Sequence, residues 1–324
     1  MEVRRYRESD RKALGQVLSL AFGASQAEGE EHFDPEKNRR LDLEQVYVVE
    51  EDGKPRATAT VLPLEVFVDG EPAPMGGVAA VATHPAYRRK RYAGTLMRAL
   101  LADLRQGGVR LSMLDPFNHA FYRAHGYELA AEALRYTLKP TELSTSPEQR
   151  HVRAYRGEDL PRMTELNEAE AARHPICVRR GEGHWRQFES LDGSEGRETA
   201  VYSRDGVVEG YLLYRQKEGR DETSRTLGVT ELVAETLRAR AGLLSFAAAY
   251  DPEDWRVDYA VPPGEPLHPY LESSHVEAKV RPGMMLRLVD VEGAIAPRAS
   301  RWSWRSPTRG SRRMPGSTRS ARAV

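Results

Sequence analysis

The chain has 324 residues, of which 40% are hydrophobic and 30% are charged. At roughly 100 to 200 residues per domain, this length suffices for two or three domains, and the composition excludes a disordered or membrane-embedded chain. Basic and acidic residues number 48 each, but eight of the arginines and none of the acids lie in 298–324. The rest of the chain therefore has a net charge of −8, which disfavours nucleic-acid binding outside that tail.

The first half of the sequence predicts strands and helices that together form a mixed α/β sheet flanked by helices. A short strand at 3–6 precedes a helix at about 10–22, where apolar residues recur at helical spacing through Phe22. Asp52-Gly53 and Asp69-Gly70 are hairpin signals. The remaining predicted elements are strands at 56–68, 77–83, 109–114 and 127–138, a helix at about 93–104 and a short helix from Asn118 to about 125.

The second half repeats this order. VRRYRESDRKAL at 3–14 matches VRAYRGEDLPRM at 152–163, and the hairpin at 46–61 matches one at 199–214 with its turn signal at Asp205-Gly206. Two matches in the same order, at offsets of 149 and 153, indicate a duplicated domain, with chance similarity of short segments as the alternative. The polar, unpatterned stretch 139–150 marks the predicted boundary. Further helices are predicted at about 182–188 and 237–249.

The stretch VAAVATHPAYRRKRYAGTLMRALL at 78–101 carries the clearest chemical signal. An apolar strand breaks at Pro85 and becomes a basic loop that opens a helix. That arrangement directs backbone N–H groups and the positive end of the helix dipole at one point, where a pyrophosphate would bind. The consecutive cations from Arg88 to Arg91 add charge for phosphates. The alternative is a solvated basic turn, which charge alone does not exclude.

This stretch resembles the acetyl-CoA loop of the GNAT N-acetyltransferases, in which R/Q-x-x-G-x-G/A follows a strand and starts a helix. Placed by Pro85, the motif begins at Arg88 and ends at Ala93, with Arg91 in place of its middle glycine. A register that begins at Arg91 is the alternative. The resemblance implies that strand-end N–H groups bind the acetyl carbonyl, with Val81 as oxyanion donor, and that those of 89–94 bind the pyrophosphate. It assigns to CoA binding Val81, Ala82, Thr83, Arg88, Arg89, Lys90, Arg91, Tyr92, Ala93 and Gly94.

A second segment, DPFNHAFYRAHGYELA at 115–130, resembles the GNAT pattern N…FYxxxGY. The resemblance implies that Tyr122 lies near the CoA sulfur and protonates the departing thiolate, which suits a phenol with a pKa near 10. The alternative is a tyrosine of the core. Phe117 and Asn118 are assigned to CoA contact, and Asn118 could instead cap the short helix.

Two such domains in tandem, followed by RPGMMLRLVDVEGAIA at 281–296, resemble the enhanced-intracellular-survival (Eis) acetyltransferases. We therefore expect a catalytic GNAT domain at 1–140, a degenerate GNAT-like domain without cofactor at 150–280, the start of a truncated sterol-carrier-like domain at 281–296 and a disordered Arg/Ser-rich tail at 297–324. In that family the C-terminal carboxylate is the general base. The resemblance here ends at about residue 296, so it assigns no general base to this chain.

The resemblance predicts an acetyl-CoA-dependent N-acetyltransferase that acts on a primary amine of an aminoglycoside, a polyamine or a protein lysine, by direct attack. An acidic cluster at Glu28, Glu30, Glu31 and Asp34 would favour a cationic acceptor, although a solvated acidic loop is the alternative. An acyl-CoA-binding protein or an inactive truncated enzyme without turnover remains the rival function.

Location and partners are predicted from composition and resemblance. The single cysteine, Cys177, excludes an intramolecular disulfide and a cysteine-based zinc cluster, so no metal is expected. The charged N-terminus lacks the apolar segment of a secretory signal, which predicts a cytoplasmic protein without a membrane partner. Eis-type proteins are oligomers, which suggests a homo-oligomer here.

Overall fold

The computed structural model describes residues 2–38, 41–68, 70–174, 176–181, 184–185, 191, 196–218, 225–262, 264–265 and 267–293. Within these residues the strands are β1 Glu2–Arg5, β2 Val46–Glu51, β3 Lys54–Val68, β4 Glu71–Thr83, β5 Leu111–Leu114, β6 Glu128–Leu129, β7 Glu132–Leu138, β8 Val152–Ala154, β9 Cys177–Arg179, β10 Arg197–Arg204, β11 Val207–Glu218, β12 Arg225–Ala234, β13 Trp255–Val261, β14 Ala278–Pro282 and β15 Met285–Leu288. The helices are α1 Arg11–Phe22, α2 Gln26–Glu31, α3 Tyr92–Gln106, α4 His119–Arg123, α5 Leu160–Ala171 and α6 Leu237–Ala248.

These strands form two sheets of the same design. The first has the order β1-β2-β3-β4-β5-β15-β6, with β9 paired to β3, and the second has the order β14-β7-β13-β12-β11-β10-β8. All described neighbours are antiparallel except β4 with β5 and β12 with β13. Each sheet therefore contains a parallel pair next to an antiparallel meander, which confirms the predicted mixed α/β architecture.

Helices cover both sheets through their apolar faces. On the first sheet, α3 buries leucines and Met97 against β2, β3 and β4, while α1 packs through Leu14, Val17 and Leu18 on the other side. On the second sheet, α6 and α5 bury Leu243 and Met163 in the corresponding positions. The helical spacing of these apolar residues explains why each helix presents one face to its sheet.

Polar contacts confirm the predicted duplication. Arg4 donates to both carboxylate oxygens of Asp10 at 2.6 and 2.9 Å, and Arg153 donates to those of Asp159 at 2.8 and 2.7 Å. Each carboxylate also accepts the N–H of the residue three positions before it, at 2.9 and 2.8 Å. The two halves therefore enter their first helix through the same hydrogen-bonded turn.

The predicted single strand at 127–138 is wrong. It is divided into β6, which lies in the first sheet, and β7, which pairs with β13 in the second sheet. In exchange, β15 pairs with β5 in the first sheet, so part of the segment predicted to begin a third domain at 281–296 belongs to the first sheet. The predicted boundary at 139–150 therefore does not separate the sheets, and it contains one 3-10 turn, Pro140–Glu142, and most of a second, Pro147–His151.

Several predictions fall outside the described residues. These are Asp69 of the second hairpin signal, most of the helix predicted at 182–188 and the tail at 297–324. Among the residues that are described, no helix has both the length and the apolar content required to span a bilayer.

Candidate active site

The site lies where β4 and β5 separate. The two parallel strands pair only as far as Val78 on β4. Just beyond, β4 carries one extra residue relative to β3, and Ala80 adopts a left-handed φ of 51°. A bulge bends its strand and interrupts the pairing. It therefore opens a gap between the end of β4 and the end of β5.

Two backbone N–H groups of β4 point into this gap. The N–H of His84 donates to the carbonyl of Arg56 at 2.9 Å, on the β3 side of the strand. Because successive residues of a strand direct their N–H groups to opposite edges, those of Thr83 and Val81 face away from β3. That edge is the one from which β5 has separated. Both residues were assigned to the acetyl end of the ligand from the sequence.

The basic loop leads from β4 to α3 through a sharply turned backbone. His84 Nδ1 accepts the N–H of Ala86 at 3.2 Å, which caps a 3-10 turn at Pro85–Tyr87. Arg89 and Arg91 adopt left-handed φ angles of 64° and 67°, and Arg91 is the N-cap of α3. The first turn of α3 leaves N–H groups without helical partners, an arrangement that favours an anion beside the loop.

A cavity of about 670 Å³ occupies this space, a volume in the range of small-molecule sites. Ten of the residues assigned to CoA line it, namely Val81, Ala82, Thr83, Arg88, Arg89, Arg91, Tyr92, Ala93, Gly94 and Phe117. Within the described part of the chain, Arg88, Arg89 and Arg91 make no ion pair with a carboxylate, so their charges are available to a bound anion.

Two assigned residues lie outside the lining and have other partners. Lys90 Nζ is 3.4 Å from the carboxylate of Glu51 and 4.7 Å from the ring centroid of Tyr87. Asn118 Oδ1 accepts the N–H of Phe121 at 2.9 Å. Asn118 thus caps α4, which was the alternative considered for it.

Sequence reasoning missed four lining residues, Ala21, Phe22, Tyr87 and Phe121. Phe22 was placed on the buried face of the first helix, but its side chain is 61% exposed beside Gly23, where the helix ends. Phe117 is also exposed, at 67%. The sequence signal for an exposed Phe22 was its place at the last position of the helix. The end of a helix extends beyond the sheet that buries its middle, so an apolar residue there can remain exposed.

Tyr122 lies on α4, directly behind the cavity wall. Its side chain is 2% exposed, and its ring centroid is 5.2 Å from that of Phe117 and 5.0 Å from that of Phe121. Burial, with smaller effects from Tyr127 and Asp115, raises the pKa of the Tyr122 phenol well above its usual value. The phenol therefore keeps its proton at neutral pH, and its raised pKa makes it a weaker acid toward a thiolate than an exposed tyrosine.

The acidic cluster predicted to attract the acceptor does not reach the cavity. Glu28 accepts the N–H of Ser25 at 2.7 Å in the capping box of α2, which lowers the pKa of Glu28. Glu31 pairs with Lys37, and Asp34 pairs with Arg11 at 2.8 Å. Glu30 accepts a hydrogen bond from Gln26 Nε2 at 2.7 Å. The acids are thus used in local hydrogen bonds, helix capping and surface ion pairs, and none of them lines the cavity.

The left-handed backbone at Arg91 predicts a difference between two substitutions. Arg91→Gly and Arg91→Ala both remove the guanidinium, but only glycine adopts a φ of 67° without a steric cost. We expect the glycine variant to be about 1 kcal/mol more stable than the alanine variant in urea denaturation, and to bind acetyl-CoA a few fold more tightly. Equal values for the two variants would contradict a role for this backbone conformation.

The second half keeps the strand geometry but has no basic loop among its described residues. β12 also carries a bulge, at Thr230, yet only residues 235–236 separate it from α6. The arginines of α6 are bound to carboxylates: Arg238 Nε donates to Glu209 at 2.9 Å and Arg240 to Glu265 at 2.9 Å. Their charges are therefore already neutralised within the protein.

Comparison with sequence families agrees with this duplication. A family described as "Acetyltransferase (GNAT) domain" matches residues 2–130, and a second family with the same description matches residues 177–288. No curated protein matches the chain.

Solved structures with the same fold support it. A GCN5-related N-acetyltransferase from Anabaena variabilis is 21% identical with a TM-score of 0.79, covering 91% of this chain and 74% of that one. One from Kribbella flavida is 23% identical with a TM-score of 0.76, covering 91% and 72%. Eis1 from Mycobacterium abscessus is 22% identical with a TM-score of 0.70, covering 91% and 75%. At these identities the likeness concerns the fold.

Proposed function

The chain belongs to the GNAT acetyltransferases, with two such domains in tandem, and on that premise we propose that its first domain transfers the acetyl group of acetyl-CoA to a primary amine. The observation that carries the proposal is the cavity where the N-terminus of α3 and the diverging end of β4 meet arginines that have no carboxylate partner among the described residues. The pyrophosphate would bind at Arg88, Arg89 and the first turn of α3, and the acetyl group beside Val81.

The chemistry that these residues would support is direct attack of the amine on the acetyl carbonyl. The N–H of Val81 would donate to the carbonyl oxygen as negative charge develops on it. The C–N bond forms, the C–S bond breaks and the thiolate takes a proton. Tyr122 would supply that proton through its neutral phenol, and the attacking amine would lose one to water.

Tyr122→Phe is expected to lower kcat about tenfold to a thousandfold while changing the affinity for acetyl-CoA little. The reason is that the phenol acts as charge develops on sulfur, not in the ground state. Turnover is read from free-thiol release, and affinity from calorimetry.

Tyr127→Phe is the matched control, because Tyr127 is 1% exposed in the same cluster and bonds to Ser112 Oγ at 2.7 Å. It should lower the unfolding temperature without the loss of kcat. If both variants retained wild-type kcat, or if both lost it equally, Tyr122 would have no specific role as a proton donor.

One observation favours the rival function, an acyl-CoA-binding protein without turnover. No carboxylate lines the cavity among the described residues, so the walls offer no general base. Measuring acetyl-CoA affinity and the acetylation of aminoglycosides, polyamines and lysine peptides separately distinguishes the two functions. Tight binding without transfer to any of these amines would favour the rival. A cytoplasmic location and a homo-oligomer remain predictions.

A further inference from the structure

Two further basic side chains, those of Arg98 on α3 and His125 just after α4, lie close to the basic loop. Arg98 is exposed, donates to Thr95 Oγ1 at 3.1 Å and has no carboxylate partner in the part of the chain that the structure describes. His125 lies opposite it across Gly94. A Cβ atom placed on Gly94 would be 3.6 Å from His125 Nε2 and 3.8 Å from Arg98 NH1. Both nitrogens therefore border the same small volume.

This volume lies beside the cavity described above, although Arg98 and His125 do not themselves line that cavity. Gly94 lines that cavity, and so does Phe121, whose ring centroid is 5.1 Å from that of His125. Because Gly94 has no side chain, nothing from this position fills the space between Arg98 and His125. A ligand group that lies against Gly94 is therefore close to both side chains.

The charge around this volume favours an anion. Arg287 of β15 donates to the main-chain carbonyl of His125, which holds a third cation close by. Burial, with Arg98 and Arg287, lowers the pKa of His125, so the ring is neutral and its N–H can donate. Arg123, on α4, is bound to both carboxylate oxygens of Glu128 at 2.7 and 2.9 Å. Among the described residues, Arg98 and Arg287 are thus the nearby arginines without a carboxylate partner, and Arg287 is held by the carbonyl of His125.

Coenzyme A carries its negative charge in two places, the pyrophosphate and a separate 3′-phosphate on the ribose. The pyrophosphate would bind at the N-terminus of α3, near Gly94. Arg98 lies one turn beyond Gly94, about 6 Å further along the helix axis. We propose that Arg98 and His125 bind the 3′-phosphate of coenzyme A, an inference that rests on the proposed function. An arginine without a carboxylate partner is well suited to this role, since its fork of donors fits a phosphate.

The test compares coenzyme A with 3′-dephospho-coenzyme A, which differ only in this phosphate, by calorimetry on the full chain. The wild type should bind coenzyme A about tenfold to a hundredfold more tightly, the range of a charge-assisted hydrogen bond. Arg98→Gln should reduce the ratio of the two affinities to about threefold or less, while leaving the affinity for 3′-dephospho-coenzyme A unchanged. His125→Gln should reduce it in part.

Arg105→Gln is the matched control, because Arg105 is an exposed arginine in the last turn of the same helix. It should leave the ratio unchanged. A wild-type ratio near one with tight binding of both ligands would overturn the inference and leave the proposed function standing. Equal weakening of both ligands by Arg98→Gln would also overturn it. Failure of the wild type to bind either ligand would overturn both.

Discussion

Met285→Asp is expected to unfold the first sheet and abolish acetyl-CoA binding, although residue 285 is distant in sequence from the cavity. Met285 is completely buried in the core beneath α3, together with Leu114 and Tyr127. Its strand joins β5 to β6, with Met285 opposite Leu114 and Leu129. Losing its packing and burying an unpaired carboxylate there costs about 5 kcal/mol or more, which is comparable with the whole stability of a typical domain.

Met284→Asp is the matched control for this prediction. Met284 is the adjacent residue and is 41% exposed, so the same substitution should change the free energy of unfolding by less than about 0.5 kcal/mol. Urea denaturation and calorimetry with acetyl-CoA provide the measurements. Wild-type stability and binding in the Met285→Asp protein would show that β15 is dispensable for the first sheet.

Because β7 pairs in the second sheet and β15 pairs in the first, a fragment containing only the first domain lacks some of its strand partners. A fragment that ends at residue 140 contains β7 without its partners β13 and β14, and leaves the edge of β5 without β15. We therefore expect such a fragment to remain unfolded, as judged by circular dichroism. A folded fragment that binds acetyl-CoA would contradict this expectation, because it would make the two sheets independent.

Charge reversal at both Arg88 and Arg89 is expected to weaken acetyl-CoA binding about a thousandfold or more. Both side chains line the cavity and have no carboxylate partner among the described residues. Each charge-assisted hydrogen bond to a phosphate contributes about 1.5 to 3 kcal/mol, and glutamates in their place repel the pyrophosphate. Since both arginines are exposed, thermal unfolding should change little.

The control for charge reversal comes from the second half. Removing Arg238 together with its partner Glu209, as Arg238→Gln with Glu209→Gln, deletes a neutral pair rather than an unpaired charge. We expect acetyl-CoA affinity to remain at the wild-type value. An equal loss of affinity in both double variants would mean that the protein does not bind the ligand at a single site in its first half.

The local elements followed from the sequence because their causes are local. Asp52-Gly53 and Asp205-Gly206 form the predicted hairpin turns, and all four residues have positive φ. The helix predicted at about 93–104 is observed at Tyr92–Gln106, since apolar residues at helical spacing and two following glycines define it. The basic loop was recognisable for the same reason, as consecutive arginines between a strand and a helix.

The positive φ at Arg91 bears on the register of the acetyl-CoA motif. The sequence alone left two registers of the motif open, because Arg91 stands where one of them requires glycine. The structure gives Arg91 the left-handed backbone that glycine would favour. Arg91 therefore has a backbone conformation that favours glycine, although it is not a glycine.

The sequence by itself determined the duplicated order of strands and helices and the position of the basic loop, because both depend on residues close together in the chain. Only the tertiary structure decided which strands pair, and hence that β7 and β15 are exchanged between the sheets. Alternating apolar residues make a strand half-buried on any sheet with a free edge, so they do not specify its partner. For the same reason, the exposure of Phe22 and the approach of Arg98 to His125 depend on contacts between elements that no local pattern encodes.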